Sequence, residues 1–97
     1  MPKYFYATVI DALQKLKEAG YTEDFNLIEE EIAANTDNYS IEVIYRYEGV
    51  TDPDDEAFVF GIKTASGQKG VFVMGAAAAS EGSAANFLYE IAVKGKP

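Results

Sequence analysis

Ala57-Phe58-Val59-Phe60-Gly61-Ile62-Lys63-Thr64-Ala65-Ser66-Gly67-Gln68-Lys69-Gly70-Val71-Phe72-Val73-Met74 is the stretch that decides the fold. Phe58, Phe60 and Ile62 alternate along Ala57 to Thr64, which is the period of a strand with one face in a core. Ala65-Ser66-Gly67-Gln68 is a short connection containing glycine, and Lys69 to Met74 returns as a second strand, so the two predict a hairpin. In the return strand Val71 and Val73 face one way, Phe72 and Met74 the other. Apolar groups on both faces imply a sheet covered on each side, by the chain's own helices or by a second subunit.

Upstream of the hairpin, Ile41, Val43, Tyr45 and Tyr47 alternate with Glu42, Ile44, Arg46 and Glu48, and Gly49 ends the run. This predicts another strand. Glu42 and Arg46 fall on the same side two positions apart from Ile44, the spacing of a surface ion-pair ladder. Arg46 is the only arginine in the chain and so its natural anion-binding group. Tyr45 and Tyr47 on the apolar side suit a core, an interface or the lining of a pocket. Tyr45, Arg46 and Tyr47 are therefore the candidate ligand or partner residues.

Before that strand, Thr8 to Ala19 reads TVIDALQKLKEA, with Val9, Leu13 and Leu16 on one stripe and polar residues on the remainder of the wheel. Thr8 is a natural N-cap, Gly20 a left-handed stop, and Tyr21 falls where a Schellman motif folds it back onto Leu16. Residues 25–32, FNLIEEEI, are ambiguous: Phe25 and Leu27 suit a strand, Ile28 and Ile32 at i, i+4 a helical turn. The strand is the expectation here. Glu29-Glu30-Glu31 predicts a solvated face, because adjacent side chains diverge on either element. After Met74 the small-residue run GAAAASEGSAA leads into an expected helix from near Ser83, with Phe87, Leu88, Ile91 and Ala92 as its stripe and Lys94-Gly95 as its stop. The expected fold is α+β: an N-terminal helix, a mainly antiparallel sheet of three to four strands and a C-terminal helix in a single domain, residues 1–97.

Composition bounds the function. Ninety-seven residues with 48% hydrophobic content support one core without crosslinks. Cysteine and histidine are absent, which removes thiol nucleophiles, thiolate and imidazole metal sites and the commonest general base. A net charge of −8 repels a phosphate backbone, so nucleic acid is not an expected partner. Met1-Pro2-Lys3-Tyr4-Phe5-Tyr6 followed by Asp11 has neither the apolar core of a signal peptide nor the length of a membrane span. A cytoplasmic location, no membrane partner and no cofactor are the expectations.

Asp52, Asp54, Asp55 and Glu56 are the candidate metal ligands. Asp52, Asp54 and Glu56 have the alternate spacing that opens an EF-hand loop, but Ala57 occupies the position of its turn glycine and Lys63 that of its bidentate glutamate. A turn with Asp52 first and Pro53 second accounts for the same residues. The Gly67-Gln68-Lys69-Gly70 run is too short for an anion nest and precedes a strand, which makes it a hairpin turn.

The segments GYTEDFNL at residues 20–27, VIYRYEG at 43–49, Asp52-Pro53-Asp54-Asp55 and Lys69-Gly70-Val71 together resemble a small bacterial family of about this length, whose members carry the label phosphoribosylpyrophosphate synthetase. The resemblance spans most of the chain, more loosely at 28–40 and after Met74. It implies a family of unknown function that shares the YRYEG and DPDD stretches; the label implies phosphoryl or pyrophosphoryl transfer assisted by Mg²⁺ at Asp52, Asp54, Asp55 and Glu56. The synthetases of that name are larger, with two phosphoribosyltransferase-like domains and basic and histidine residues around ATP. None of their motifs matches here residue by residue, so no catalytic position is carried over. Gly75 and the alanines after it depart from a more polar family segment. Taken together, the residues favour a small non-catalytic domain that self-associates or binds a protein or small-molecule partner.

Overall fold

The hairpin stands at the middle of the sheet. The computed structural model of the protein describes residues 3–47, 57–75 and 88. Its strands are β1 (Lys3–Tyr6), β2 (Glu23–Asp24), β3 (Tyr39–Tyr47), β4 (Ala57–Thr64) and β5 (Lys69–Gly75), in the spatial order β1-β3-β4-β5-β2. Among the described residues, α1 (Val9–Glu18) and α2 (Glu29–Ala34) make the architecture α+β. β3, β4 and β5 pair antiparallel, whereas β1 runs parallel to β3 and β2 parallel to β5. Among the described residues the sheet is thus mixed and has five strands, not three or four mainly antiparallel ones, and a strand precedes the first helix. The expected C-terminal helix lies outside the described residues apart from Leu88, which is helical and fully buried.

Each end of α1 follows from its sequence. The Thr8 hydroxyl accepts from the Asp11 amide at 3.2 Å, which satisfies one of the free donors of the first turn. At the other end Gly20 takes φ +97°, Tyr21 N–H donates to the Leu16 carbonyl at 2.9 Å and Gly20 N–H to the Lys17 carbonyl at 3.1 Å. Those two bonds are the Schellman pair, and they deliver the Tyr21 ring beside Leu16.

Residues 25–32 are helical, which corrects the strand expectation. The Asp24 carboxylate accepts from the Asn26 amide at 3.0 Å and starts a 3-10 turn at Phe25–Ile28, which continues into α2. Phe25 and Ile32 point into the core while Leu27 stands 81% exposed, so the apparent period of two at Phe25 and Leu27 does not mark one buried face. The three glutamates at 29–31 occupy the first turn of α2, where the helix dipole favours negative charge.

The helices cover opposite faces of the sheet. Ile44, Phe58, Phe60, Ile62, Phe72 and Met74 form one face and pack with Phe25, Ile32, Tyr39 and Leu88. Val59 on the other face packs with Ala12, Leu16 and Tyr21, with Val43, Tyr45, Val71 and Val73 partly buried around them. Each fully buried Phe or Ile is worth about 1.5–3 kcal/mol, so both layers contribute to one two-sided core. Phe72 therefore belongs to the chain's own interior, and each face of the sheet is covered from within the chain. Gly61 makes room for α1: a Cβ there would lie 2.9 Å from Leu16 Cδ2 and 3.2 Å from Tyr21 Cε1.

Candidate functional site

The two margins of the sheet are built differently. At one margin, β2 covers only Gly70 and Val71 of β5, and then the Asn26 side chain takes over. Its amide donates to the Val73 carbonyl at 2.9 Å and its oxygen accepts from the Val73 N–H at 2.8 Å, so a side chain imitates the next residue of a strand. That margin is closed. At the other margin β1 pairs with β3 along Lys3↔Val43, Tyr4↔Ile44, Phe5↔Tyr45 and Tyr6↔Arg46, and among the described residues it is the outermost strand.

Aromatic residues hold β1 in place and extend past it. Phe5 stacks on Tyr45 with ring centres 5.4 Å apart, on the face covered by α1. Tyr4 and Tyr6 meet edge to face at 5.8 Å on the other side of the strand. Phe5 remains 45% exposed and Tyr6 56% exposed, large apolar groups left in water by the described part of the fold. The Ala7 N–H donates to the Arg46 carbonyl at 3.1 Å, and because strand backbone groups alternate in direction, the Tyr6 N–H and carbonyl point away from β3.

The candidate trio in β3 divides between the faces. Tyr45 lies on the α1 face beside Phe5, and Tyr47 follows it by alternation. The Arg46 guanidinium lies over the Phe58 ring at 5.6 Å, a cation–π contact on the opposite face. All three side chains are half-buried. Glu42 does not form a ladder with Arg46. The β3–β4 register steps from Ile41↔Ile62 to Val43↔Gly61, leaving Glu42 as the extra residue of a bulge. The bulge turns its carboxylate to the α1 face, where it accepts from the Tyr21 hydroxyl at 2.7 Å.

That contact is a structural lock. Burial, and next the hydrogen bond to the Glu42 carboxylate, push the Tyr21 hydroxyl up to about 12. The Lys69 ammonium sits 5.0 Å from the centre of the same ring. Beside it, Leu13, Lys17, Tyr21, Thr22 and Val71 border a shallow cleft of about 290 Å³, and Ala34 to Asn38 form an open polar concavity of about 440 Å³ at the turn into β3. The larger hollow is made by one five-residue turn and gathers no convergent reactive groups from other elements.

Asp52, Asp54, Asp55 and Glu56 lie outside the described residues. Among the described residues, no three His, Cys, Asp or Glu side chains are grouped to hold a metal ion, and no helix is long and apolar enough to cross a membrane. No protein-family model, curated protein or solved structure matches the chain.

The residues that sequence reasoning missed are Phe5 and Tyr6. Their signal was present as three successive aromatics, Tyr4-Phe5-Tyr6, at positions favouring a strand. Alternation along so short a run places aromatic groups on both faces at once, and that pattern belongs to a margin as much as to a core.

Proposed function

We propose that this chain is a small cytoplasmic, non-catalytic binding domain that self-associates through the aromatic margin formed by β1 and β3. The observation that carries the reading is the Phe5–Tyr45 stack at the outermost of the described strands, with Phe5 and Tyr6 half exposed beside it. Aromatic side chains bring large contact area at a small cost in rotamer entropy, and Tyr and Phe are enriched where proteins meet. The opposite margin, closed by Asn26, supports the same reading by contrast. A chain without histidine or cysteine also lacks the side chains most often used for acid–base and nucleophilic work.

Sedimentation equilibrium across a micromolar to millimolar series tests self-association. The expected result is an apparent mass that rises with concentration from that of the 10.6 kDa chain. A mass of one chain throughout refutes it.

A further inference from the structure

We infer that the partner on this margin is a second copy of the chain, joined to the first by β1 against β1 across a twofold axis near Phe5, so that the two sheets become one. The inference rests on the proposed binding role of the margin and specifies its occupant and geometry.

An outermost strand with polar backbone groups directed outward is a template for another strand, and folded proteins usually blunt it. Among the described residues, one margin is blunted in this way and the other is not. At β2 the strand is two residues long and Asn26 completes it with a side chain. At β1 the strand has four residues, no proline or bulge interrupts its pairing with β3, and the Tyr6 N–H and carbonyl point outward.

Charge selects the occupant. A chain of net −8 repels its own copy over most of its surface, yet residues 1–10, MPKYFYATVI, contain no acid and one lysine. β1 therefore brings no carboxylate of its own to a contact between two copies. A twofold contact is also self-complementary: what one strand presents, its mate presents in reverse. Residues opposite each other in an antiparallel pair point to the same face, so an axis near Phe5 brings Phe5 against Phe5 on the α1 face. Each of those rings already stacks on a tyrosine of its own chain, giving a row Tyr45, Phe5, Phe5, Tyr45 across the axis.

The absence of cysteine makes the test direct. Phe5→Cys and, as a control on the opposite margin, Leu27→Cys are each oxidised under dilute conditions and separated on a non-reducing gel. The expected result is a covalent dimer from Phe5→Cys at least tenfold faster than from Leu27→Cys. Because removal of the Phe5 ring weakens the contact it reports, Tyr6→Pro provides a second variant: it deletes an outward N–H and leaves the Ala7 bond to β3 in place. This variant is expected to sediment as one chain with an unchanged far-UV circular dichroism spectrum. Association of the wild type with no preference for Phe5→Cys crosslinking, or with the Tyr6→Pro mass unchanged, overturns the strand-to-strand geometry and leaves self-association standing. A wild type that sediments as one chain at every concentration overturns both.

Discussion

Tyr21→Phe removes one oxygen from the junction between α1 and the bulge in β3, and its effect can be worked out from that contact. The hydroxyl donates to Glu42 at 2.7 Å, a hydrogen bond to a charged acceptor. Such bonds contribute about 1.5–3 kcal/mol. Glu42 is half-buried and recovers water when the hydroxyl goes, which lowers the expected loss to about 1 kcal/mol. For a domain of this length that is a fall in Tm of roughly 4–8 °C. The pH dependence carries a second signature. The folded protein holds the Tyr21 hydroxyl at about 12, against 10.0 for an ordinary tyrosine, so the neutral form is the one that folding favours. Its stabilisation is complete below the unfolded value and is lost as pH rises from about 10 towards 12. Wild type and Tyr21→Phe melted side by side between pH 7 and about 11.5 cancel the titration of the other tyrosines and lysines. The variant's deficit should be largest at neutral pH and should shrink progressively as pH rises above about 10. Equal Tm values at pH 7, or a deficit constant across the whole range, would refute a hydroxyl–carboxylate lock between α1 and β3.

Two glycines separate rigid from yielding neighbours. A Cβ on Gly70 would lie 2.7 Å from the Glu23 carbonyl oxygen, in the backbone of β2, whereas on Gly61 its nearest neighbour is the end of the Leu16 side chain at 2.9 Å. Gly70→Ala is expected to cost about 1–3 kcal/mol in urea unfolding and Gly61→Ala less, since Leu16 can rotate; the reverse order would contradict the close approach of β2. Asn26→Ala should cost about 1–2 kcal/mol and speed amide exchange at Val73, because both backbone groups of Val73 lose their partner; unchanged protection of that amide would mean the margin is closed by something else.

The parts of the fold that were legible in the sequence are those whose signals are local. Thr8, Gly20 and the stripe of Leu13 and Leu16 specify α1 with both of its ends, and two short alternating runs around Gly67 specify the hairpin. Residues 25–32 misled because Phe25 and Leu27 imitate a strand while Ile28 and Ile32 share a helical face; the cap from Asp24 to Asn26 decides between them. β1 and β2 were not legible because four and two residues are too few for a period to show, and each is held by its partner strand instead. The bulge at Glu42 has no glycine to mark it. It exists because Val43 must face Gly61 beneath α1 while Ile41 and Ile44 both face the core, and the Tyr21 hydroxyl receives the displaced carboxylate. Of the candidate site, the tyrosines of β3 were found from alternation, but the strand that makes them a margin was not.

The most direct test of binding at this margin is hydrogen exchange at the Tyr6 amide, followed by NMR on concentrated and on diluted protein. The Tyr6 N–H points away from β3 and no described residue protects it, while the Phe5 N–H points inward to β3. Occupation of the margin by a second copy predicts slow exchange at Tyr6 in the concentrated sample and fast exchange after dilution, with Phe5 slow in both. Fast exchange at Tyr6 at every concentration would contradict it.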